Sequence, residues 1–170
     1  MDFKSLIRDV PDFPKKGIIF KDITPLLKDP KAFREVIHQM GERYGKNKID
    51  GIVAMESRGF ILGGALATHL GVAFIPVRKP GKLPWKTLRE TYELEYGTDT
   101  LEIHEDSIGR GDRILVLDDV LATGGTAAAT IRLVQRAGGE VVEACFLIHL
   151  SFLNGHEKLK STPIYSIIHY

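Results

Sequence analysis

Short apolar runs separated by helical patterns occupy most of the chain. Four runs rich in β-branched residues predict buried strands: IDGIVAM at 49–55, VAFIPV at 72–77, RILVLDD at 113–119 and VVEACFLIHL at 141–150. Helical spacing of apolar residues predicts helices over Gly59–Leu70 and Thr126–Ala137. Strands that alternate with helices form parallel sheets with both faces covered. We therefore expect an α/β fold with an open, mainly parallel, twisted sheet flanked by helices.

The N-terminal part lacks this alternation. A helical pattern covers Phe3–Val10, and the stretch from 11 to 30 contains four prolines around a brief apolar island, Ile18–Phe20. We expect the stretch to be loop-rich and to wrap a surface, so that residues 1–28 form an arm.

Helix signals follow the arm directly. Asp29 and Pro30 are typical of an N-cap and a first helical residue, and Gly45 is typical of a C-terminal stop. They predict a helix that ends at about Tyr44. At the other end of the chain, the alternation over Ile164–Tyr170 predicts a final strand.

The segment 78–104 interrupts the strand and helix alternation. Its first part is basic, and two polar alternating runs, Tyr92–Tyr96 and Thr100–His104, flank Gly97. We expect a mobile basic loop and an antiparallel hairpin that projects from the sheet.

Composition narrows the classes of protein. The chain has 170 residues, a formal charge of +1 and no visible repeat or linker, which predicts one domain over residues 1–170. A sequence pI near 7.9 disfavours nucleic-acid binding through bulk charge and favours small partners. The lone Cys145 excludes an internal disulfide and a cysteine-rich zinc cage, and we interpret it as buried packing in a reducing cytoplasm.

Nothing in the sequence predicts export or a membrane span. The N-terminus lacks the apolar stretch of a signal peptide. Residues 59–77 lack charged side chains, but His69, Gly71 and Pro76 divide them into a helix and a strand.

The strongest chemical signal is the segment ILVLDDVLATGGT at 114–126. It predicts two acids, Asp118 and Asp119, at the carboxyl end of a buried strand, where open α/β sheets bind ligands. Gly124 and Gly125 permit unusual backbone dihedrals and close approach to an anion, and the following helix N-terminus favours negative charge. The carboxylates can accept hydrogen bonds from sugar hydroxyls or meet hydrated Mg²⁺. We interpret the segment as a phosphate-binding turn.

The alternatives are less specific. An ordinary strand–turn–helix connection also uses glycine and threonine. Neither G-x-x-x-x-G-K-[ST] nor G-x-G-x-x-G occurs, which disfavours ATPase and dinucleotide-binding readings.

This segment resembles the phosphoribosyl pyrophosphate signature of the type I phosphoribosyltransferases. Other segments resemble the adenine-specific branch of that family: DFPKKGIIFKDITPLLKDP, MESRGFILGGALA, PVRKPGKLPW, ETYELEYGTDTLEIH and YSIIHY. The resemblance implies the type I phosphoribosyltransferase fold and a purine salvage glycosyltransferase that converts adenine and phosphoribosyl pyrophosphate into AMP and pyrophosphate. It further implies Mg²⁺ brought by the substrate, a cytoplasmic location and a homodimer.

The resemblance assigns the phosphate and ribose contacts. Residues Ala122, Thr123, Gly124, Gly125 and Thr126 would hold the 5′-phosphate, and Asp118 and Asp119 would face the ribose hydroxyls. Negative charge there would also stabilise a developing oxocarbenium ion.

Pyrophosphate needs several cations. The segment 78–89 carries five Lys or Arg residues and no acid, and Arg58 begins a predicted helix where the helix dipole disfavours a cation. With the resemblance, these features assign six residues to pyrophosphate: Glu56, Ser57, Arg58, Arg78, Lys79 and Lys82.

The remaining roles concern the base. The resemblance implies that Glu95 accepts the adenine N9 proton, although a loop-closing contact or an exposed hairpin carboxylate would also fit. Ile19, Phe20 and Lys21 would form a hood over adenine, with the Phe20 ring stacked on the purine.

Two other functions share these features. A different purine could be the acceptor, or the fold could serve a regulatory module that binds the donor without catalysis. A regulatory module of this kind would need an additional DNA-binding segment, for which we expect 170 residues to leave no room.

Overall fold

The computed structural model describes residues 1–45, 49–94, 97–159 and 161–170. The chain forms two compact units, Met1–Met40 and Gly41–Tyr170. The single domain expected over residues 1–170 stays a prediction.

The N-terminal unit contains more regular structure than predicted. A 3₁₀ turn, Lys4–Leu6, precedes strand β1 (Arg8–Pro11), which pairs antiparallel with β2 (Ile19–Asp22). The predicted helix over Phe3–Val10 is therefore wrong. The residue before a proline is disfavoured in the α region, so Pro11 favours extended backbone at Val10.

The two helices that follow begin at prolines or close to them. A short helix, α1 (Thr24–Lys28), replaces part of the predicted loop. Helix α2 (Pro30–Tyr44) is confirmed at both ends. The Asp29 carboxylate accepts hydrogen bonds from the N–H groups of Lys31 and Ala32, at 2.9 and 3.1 Å, so it caps the helix as predicted.

A five-stranded parallel sheet forms the centre of the second unit. Its order is β4-β3-β7-β8-β9, and each of the four strand pairs is parallel. The elements of this unit, in chain order, are β3 (Gly51–Met55), α3 (Arg58–Leu70), β4 (Ala73–Val77), β5 (Thr87–Glu93), β6 (Thr98–His104), β7 (Arg113–Leu121), α4 (Gly125–Ala137), β8 (Glu140–His149) and β9 (Ile164–His169). The predicted fold class, sheet strands and helices are confirmed.

Small residues let α3 lie close to the sheet. A Cβ added at Gly63 would be only 2.8 Å from the Cβ of Ala54 on β3. The apolar run at 59–77 is thus a helix and a strand, as predicted. Within the described ranges, no helix has the length and apolar character needed to cross a membrane.

The hairpin β5–β6 packs against α4 instead of projecting freely. Glu90 forms ion pairs with Arg132 at 2.5 Å and Arg136 at 2.8 Å, and Leu101 and Ile103 of β6 are buried in the core. The first hairpin strand begins at Thr87, five residues before the predicted run, because it pairs along the whole of β6.

A partly buried ion pair joins the end of α2 to β8. Glu143 accepts two hydrogen bonds from Arg43, at 2.7 and 2.6 Å, and one from the Tyr44 hydroxyl at 2.6 Å. Burial raises the pKa of Glu143, but these partners outweigh burial and hold the pKa below its usual value. The neighbouring Cys145 is buried as predicted, and burial raises the pKa of its thiol to about 12.

We expect Glu143→Ala to lower the free energy of unfolding by about 2 kcal/mol at neutral pH, because it removes the carboxylate to which Arg43 and Tyr44 donate hydrogen bonds. A depressed carboxyl pKa stabilises the folded state above the unfolded-state pKa, and this contribution is lost as the pH falls. The difference from wild type should therefore shrink below the ordinary glutamate pKa of about 4.3. Urea unfolding at several pH values measures it, with Glu140→Ala at an exposed site on the same strand as control. Equal losses for the two variants would contradict the prediction.

Candidate active site

The sheet changes its direction of winding between β3 and β7. These strands are parallel neighbours, with Val53 paired to Val116, but β3 leads outward to β4 and β7 leads outward to β8. In open α/β sheets, ligands bind outside the carboxyl ends of the strands at such a switch point. The predicted phosphate turn follows β7 at this place, and the Glu56–Arg58 turn follows β3.

A small polar cavity lies at the start of α4. Its volume is about 80 Å³, enough for a compact group such as a phosphate, given about 30 Å³ for a water. The N-cap residue of this helix is Gly124, which makes no side-chain cap hydrogen bond, and the first-turn residues Gly125, Thr126 and Ala127 line the cavity. The lining residues are Asp118, Val120, Leu121, Ala122, Thr123, Gly124, Gly125, Thr126 and Ala127.

Gly124 supplies the unusual backbone conformation of the turn. Its φ is +77°, in the left-handed region, and a Cβ added there would overlap the carbonyl oxygen of Gly155. A Cβ at Gly155 would in turn overlap the carbonyl oxygen of Ala122. Gly125 lacks a positive φ, so the prediction of unusual dihedrals at both glycines is wrong for Gly125.

The two acids meet the start of α3. Arg58 Nε lies 2.8 Å from Asp119 Oδ2, and a Cβ added at Gly59 would be 2.8 Å from Asp118 Oδ1. Strand β7 continues to Leu121, so Asp118 and Asp119 lie three and two residues before its last residue and not at its end as predicted. Burial, with the charge of Asp119, raises the pKa of Asp118; burial also raises the pKa of Asp119, and Arg58 opposes that rise.

The basic loop is held by acidic side chains. Arg78 and Lys82 both contact the buried Glu56 carboxylate, at 3.0 and 2.9 Å, and Lys79 pairs with Asp99 on β6. Arg78 also forms a backbone bridge with Glu102. The cations predicted for pyrophosphate therefore gather beside the turn after β3, and the loop is shorter than predicted because β5 begins at Thr87.

Comparison with known proteins shows which family the chain belongs to. The model of the family described as "Phosphoribosyl transferase domain" matches residues 22–168. The chain is 58% identical to adenine phosphoribosyltransferase from Thermotoga neapolitana over 170 residues, which covers 100% of both chains. The chain belongs to the adenine phosphoribosyltransferase family.

Solved structures of phosphoribosyltransferases share this fold. Adenine phosphoribosyltransferase from Thermoanaerobacter pseudethanolicus is 53% identical, with a TM-score of 0.97 over 99% of this chain and 98% of that one. The Saccharomyces cerevisiae structure, complexed with an imino-altritol bisphosphate and adenine, is 41% identical, with a TM-score of 0.92 over 97% and 96%.

The residues predicted to contact the base are not among those that line the cavity at the start of α4. Glu95 lies outside the described residues, so its role stays a prediction. The predicted adenine hood belongs to the N-terminal unit, on β2 of this phosphoribosyltransferase. There Ile19 is exposed, the Phe20 ring packs edge-on against Phe13 at 5.1 Å, and Lys21 pairs with Asp9 at 2.7 Å.

Two residues of the site were not predicted. The Tyr92 hydroxyl lies 3.1 Å from Thr126 Oγ1, and its ring faces Gly125. Gly155 supports the turn through the backbone contact described above. Asn154 and Gly155 form a dipeptide typical of a turn, which was the available signal; Tyr92 had none beyond its strand position.

Proposed function

We propose that this chain transfers the 5-phosphoribosyl group of phosphoribosyl pyrophosphate to N9 of adenine, giving AMP and pyrophosphate. The bond between C1′ and the pyrophosphate oxygen breaks, the C1′–N9 bond forms, and the N9 proton passes to a base. The observation that carries the proposal is the phosphate-sized cavity at the switch point, with paired acids beside it.

The turn after β7 is proposed to hold the 5′-phosphate. Its backbone N–H groups and the positive end of the α4 dipole favour an anion, and Thr123 and Thr126 add hydroxyl donors. The residues in this role are Ala122, Thr123, Gly124, Gly125 and Thr126, all of which line the cavity.

Asp118 and Asp119 are proposed to accept hydrogen bonds from the ribose hydroxyls. Asp118 lines the same cavity, and Arg58 fixes the carboxylate of Asp119. Their negative charge would favour the oxocarbenium character of C1′ as pyrophosphate departs.

Pyrophosphate is proposed to lie between the turn after β3 and the basic loop. Arg58, Arg78, Lys79 and Lys82 supply charge, and Ser57 supplies an exposed hydroxyl at the start of α3. Glu56 acts in this group through the cations it holds.

The base is proposed to bind under the N-terminal hood. Phe20 would stack on adenine, while backbone groups near Ile19 and Lys21 would read its Watson–Crick edge. Glu95 would be the general base that receives the N9 proton.

Magnesium is proposed to arrive bound to the donor. The residues present fit this ion, because Asp118 and Asp119 offer the hard carboxylate oxygens that Mg²⁺ prefers, and Mg²⁺ commonly combines few carboxylates with substrate phosphates. Within the described ranges, no cluster of three or more His, Cys, Asp or Glu is arranged to hold a metal. When bound, the ion would neutralise charge on the departing pyrophosphate.

We also propose a symmetric homodimer in the cytoplasm, with no nucleic-acid or membrane partner. The dimer rests on the family and on the prevalence of two-fold oligomers. The location rests on the cysteine content.

The test is release of pyrophosphate with adenine, hypoxanthine or guanine as acceptor at equal concentrations. We expect turnover with adenine and at least tenfold less with the other purines, because a site built to pair with the amino edge of adenine leaves polar groups unpaired otherwise. Chelation of Mg²⁺ should abolish turnover, and added Mg²⁺ should restore it. Equal use of hypoxanthine or guanine would contradict the base assignment.

A further inference from the structure

Glu56 holds three donors at the end of β3. Its carboxylate accepts hydrogen bonds from Arg78 Nε at 3.0 Å, the Lys79 N–H at 2.8 Å and Lys82 Nζ at 2.9 Å. Its side chain is only 7% exposed, whereas those of Arg78 and Lys82 are 35% and 49% exposed. The anion is therefore buried and its two cationic partners reach solvent.

The backbone keeps this carboxylate in place. The Glu56 N–H donates to the Val77 carbonyl at the end of β4, at 3.0 Å, and the Lys79 N–H returns to the Glu56 side chain. Burial raises the pKa of Glu56, but Lys79, Lys82 and Arg78 together outweigh burial and keep the carboxyl ionised. Movement of Lys82 would leave two of the three contacts intact.

A carboxylate repels pyrophosphate because both are negatively charged. A carboxylate oxygen and a phosphate oxygen nevertheless accept hydrogen bonds from the same Lys and Arg side chains. Lys82 can donate three hydrogen bonds and Arg78 five. Each side chain therefore has N–H groups left to donate to a second anion while it still contacts Glu56. The two anions then compete for the same positive charges.

We propose that Glu56 is a positioning residue that serves as an internal counter-anion, competing with pyrophosphate for Arg78 and Lys82 and so promoting its release. The inference rests on the proposed function and assigns Glu56 a role that differs from direct contact with the substrate. It also accounts for an acid among the residues assigned to pyrophosphate.

The sign of the effect separates competition from simple support. Removing one negative charge beside the cations strengthens their hold on a polyanion, whereas losing a structural support disorders them and weakens it. For partly exposed charges with an effective dielectric constant well above 20, the Coulomb gain corresponds to about tenfold in affinity.

The test is Glu56→Gln, which keeps the side-chain shape and removes the charge. We expect pyrophosphate with Mg²⁺ to bind about tenfold tighter by calorimetry, and product inhibition by pyrophosphate to strengthen equally. Glu90→Gln is the matched control, because Glu90 also pairs with two cations, Arg132 and Arg136, outside the site. We expect its pyrophosphate affinity to equal that of wild type.

Unchanged or weaker pyrophosphate binding by folded Glu56→Gln would overturn the inference. If that variant does not fold, Glu56→Asp provides the measurement, because its shorter carboxylate withdraws from Lys82 and should tighten binding to a smaller extent. Weaker binding there would also overturn the inference. Failure of the proposed function would be seen separately, as a wild-type protein that makes no AMP.

Discussion

Gly124→Ala should weaken binding of phosphoribosyl pyrophosphate by roughly 100-fold or more. Alanine at a φ of +77° costs about 1–2 kcal/mol, and its Cβ would overlap the Gly155 carbonyl oxygen, so the turn must move. Movement withdraws N–H groups from the 5′-phosphate, and a hydrogen bond to a charged group contributes about 1.5–3 kcal/mol. Loss of two such hydrogen bonds exceeds the roughly 2.8 kcal/mol that corresponds to 100-fold in affinity, at about 1.4 kcal/mol per tenfold. Calorimetry with the donor measures the loss.

Gly71→Ala is the control for backbone strain alone. Gly71 has a similar φ of +69°, ends α3, and has no atom within 4 Å of an added Cβ. It should lose stability and keep donor affinity. Donor binding by folded Gly124→Ala that matches Gly71→Ala would show that the phosphate lies elsewhere.

Glu95→Gln should lower kcat by roughly 10²- to 10⁴-fold with little change in KM for the donor. Glutamine keeps the shape of the side chain and removes its basicity, so the N9 proton has no acceptor as the C1′–N9 bond forms. An interaction made only in the transition state affects kcat and leaves ground-state binding unchanged. Single-turnover measurements isolate the chemical step.

Glu93→Gln is the control, because Glu93 is exposed and lies only two residues earlier in the sequence, and this variant should keep wild-type turnover. The competing hypothesis is that Glu95 closes the loop through a hydrogen bond. In that case glutamine would substitute well, and Glu95→Ala would change kcat and KM together. Wild-type single-turnover rates in Glu95→Gln would remove Glu95 from the chemistry.

Sequence reasoning succeeded where the signal was local. The Asp29 cap, the helix and strand within 59–77 and the turn at 122–126 each depend on a few nearby side chains, and the structure places them as predicted. The parallel sheet covered by helices followed from the alternation of strands and helices.

The errors concern segments whose conformation depends on distant partners. β1 is only four residues long and has a mixed pattern, and its extended form depends on pairing with β2. Likewise, the sequence at the start of β5 is typical of a basic loop, and its strand conformation depends on pairing with β6. Tyr92 contacts Thr126 only because the hairpin packs on α4. Pairing register and packing of this kind leave no mark within a short window of sequence.

The contact between Gly124 and Gly155 has a consequence for biosynthesis. The phosphate turn leaves the ribosome before the segment that supports it, since 30 residues separate the two glycines. The turn's residues and the N-terminus of α4 are synthesised before β8, whereas Gly155 follows the whole of β8 in the chain. A nascent chain that ends before residue 155 therefore carries the whole signature segment without the support that shapes it. If the turn holds the 5′-phosphate as proposed, we expect donor binding to be acquired only after residue 155 has been synthesised.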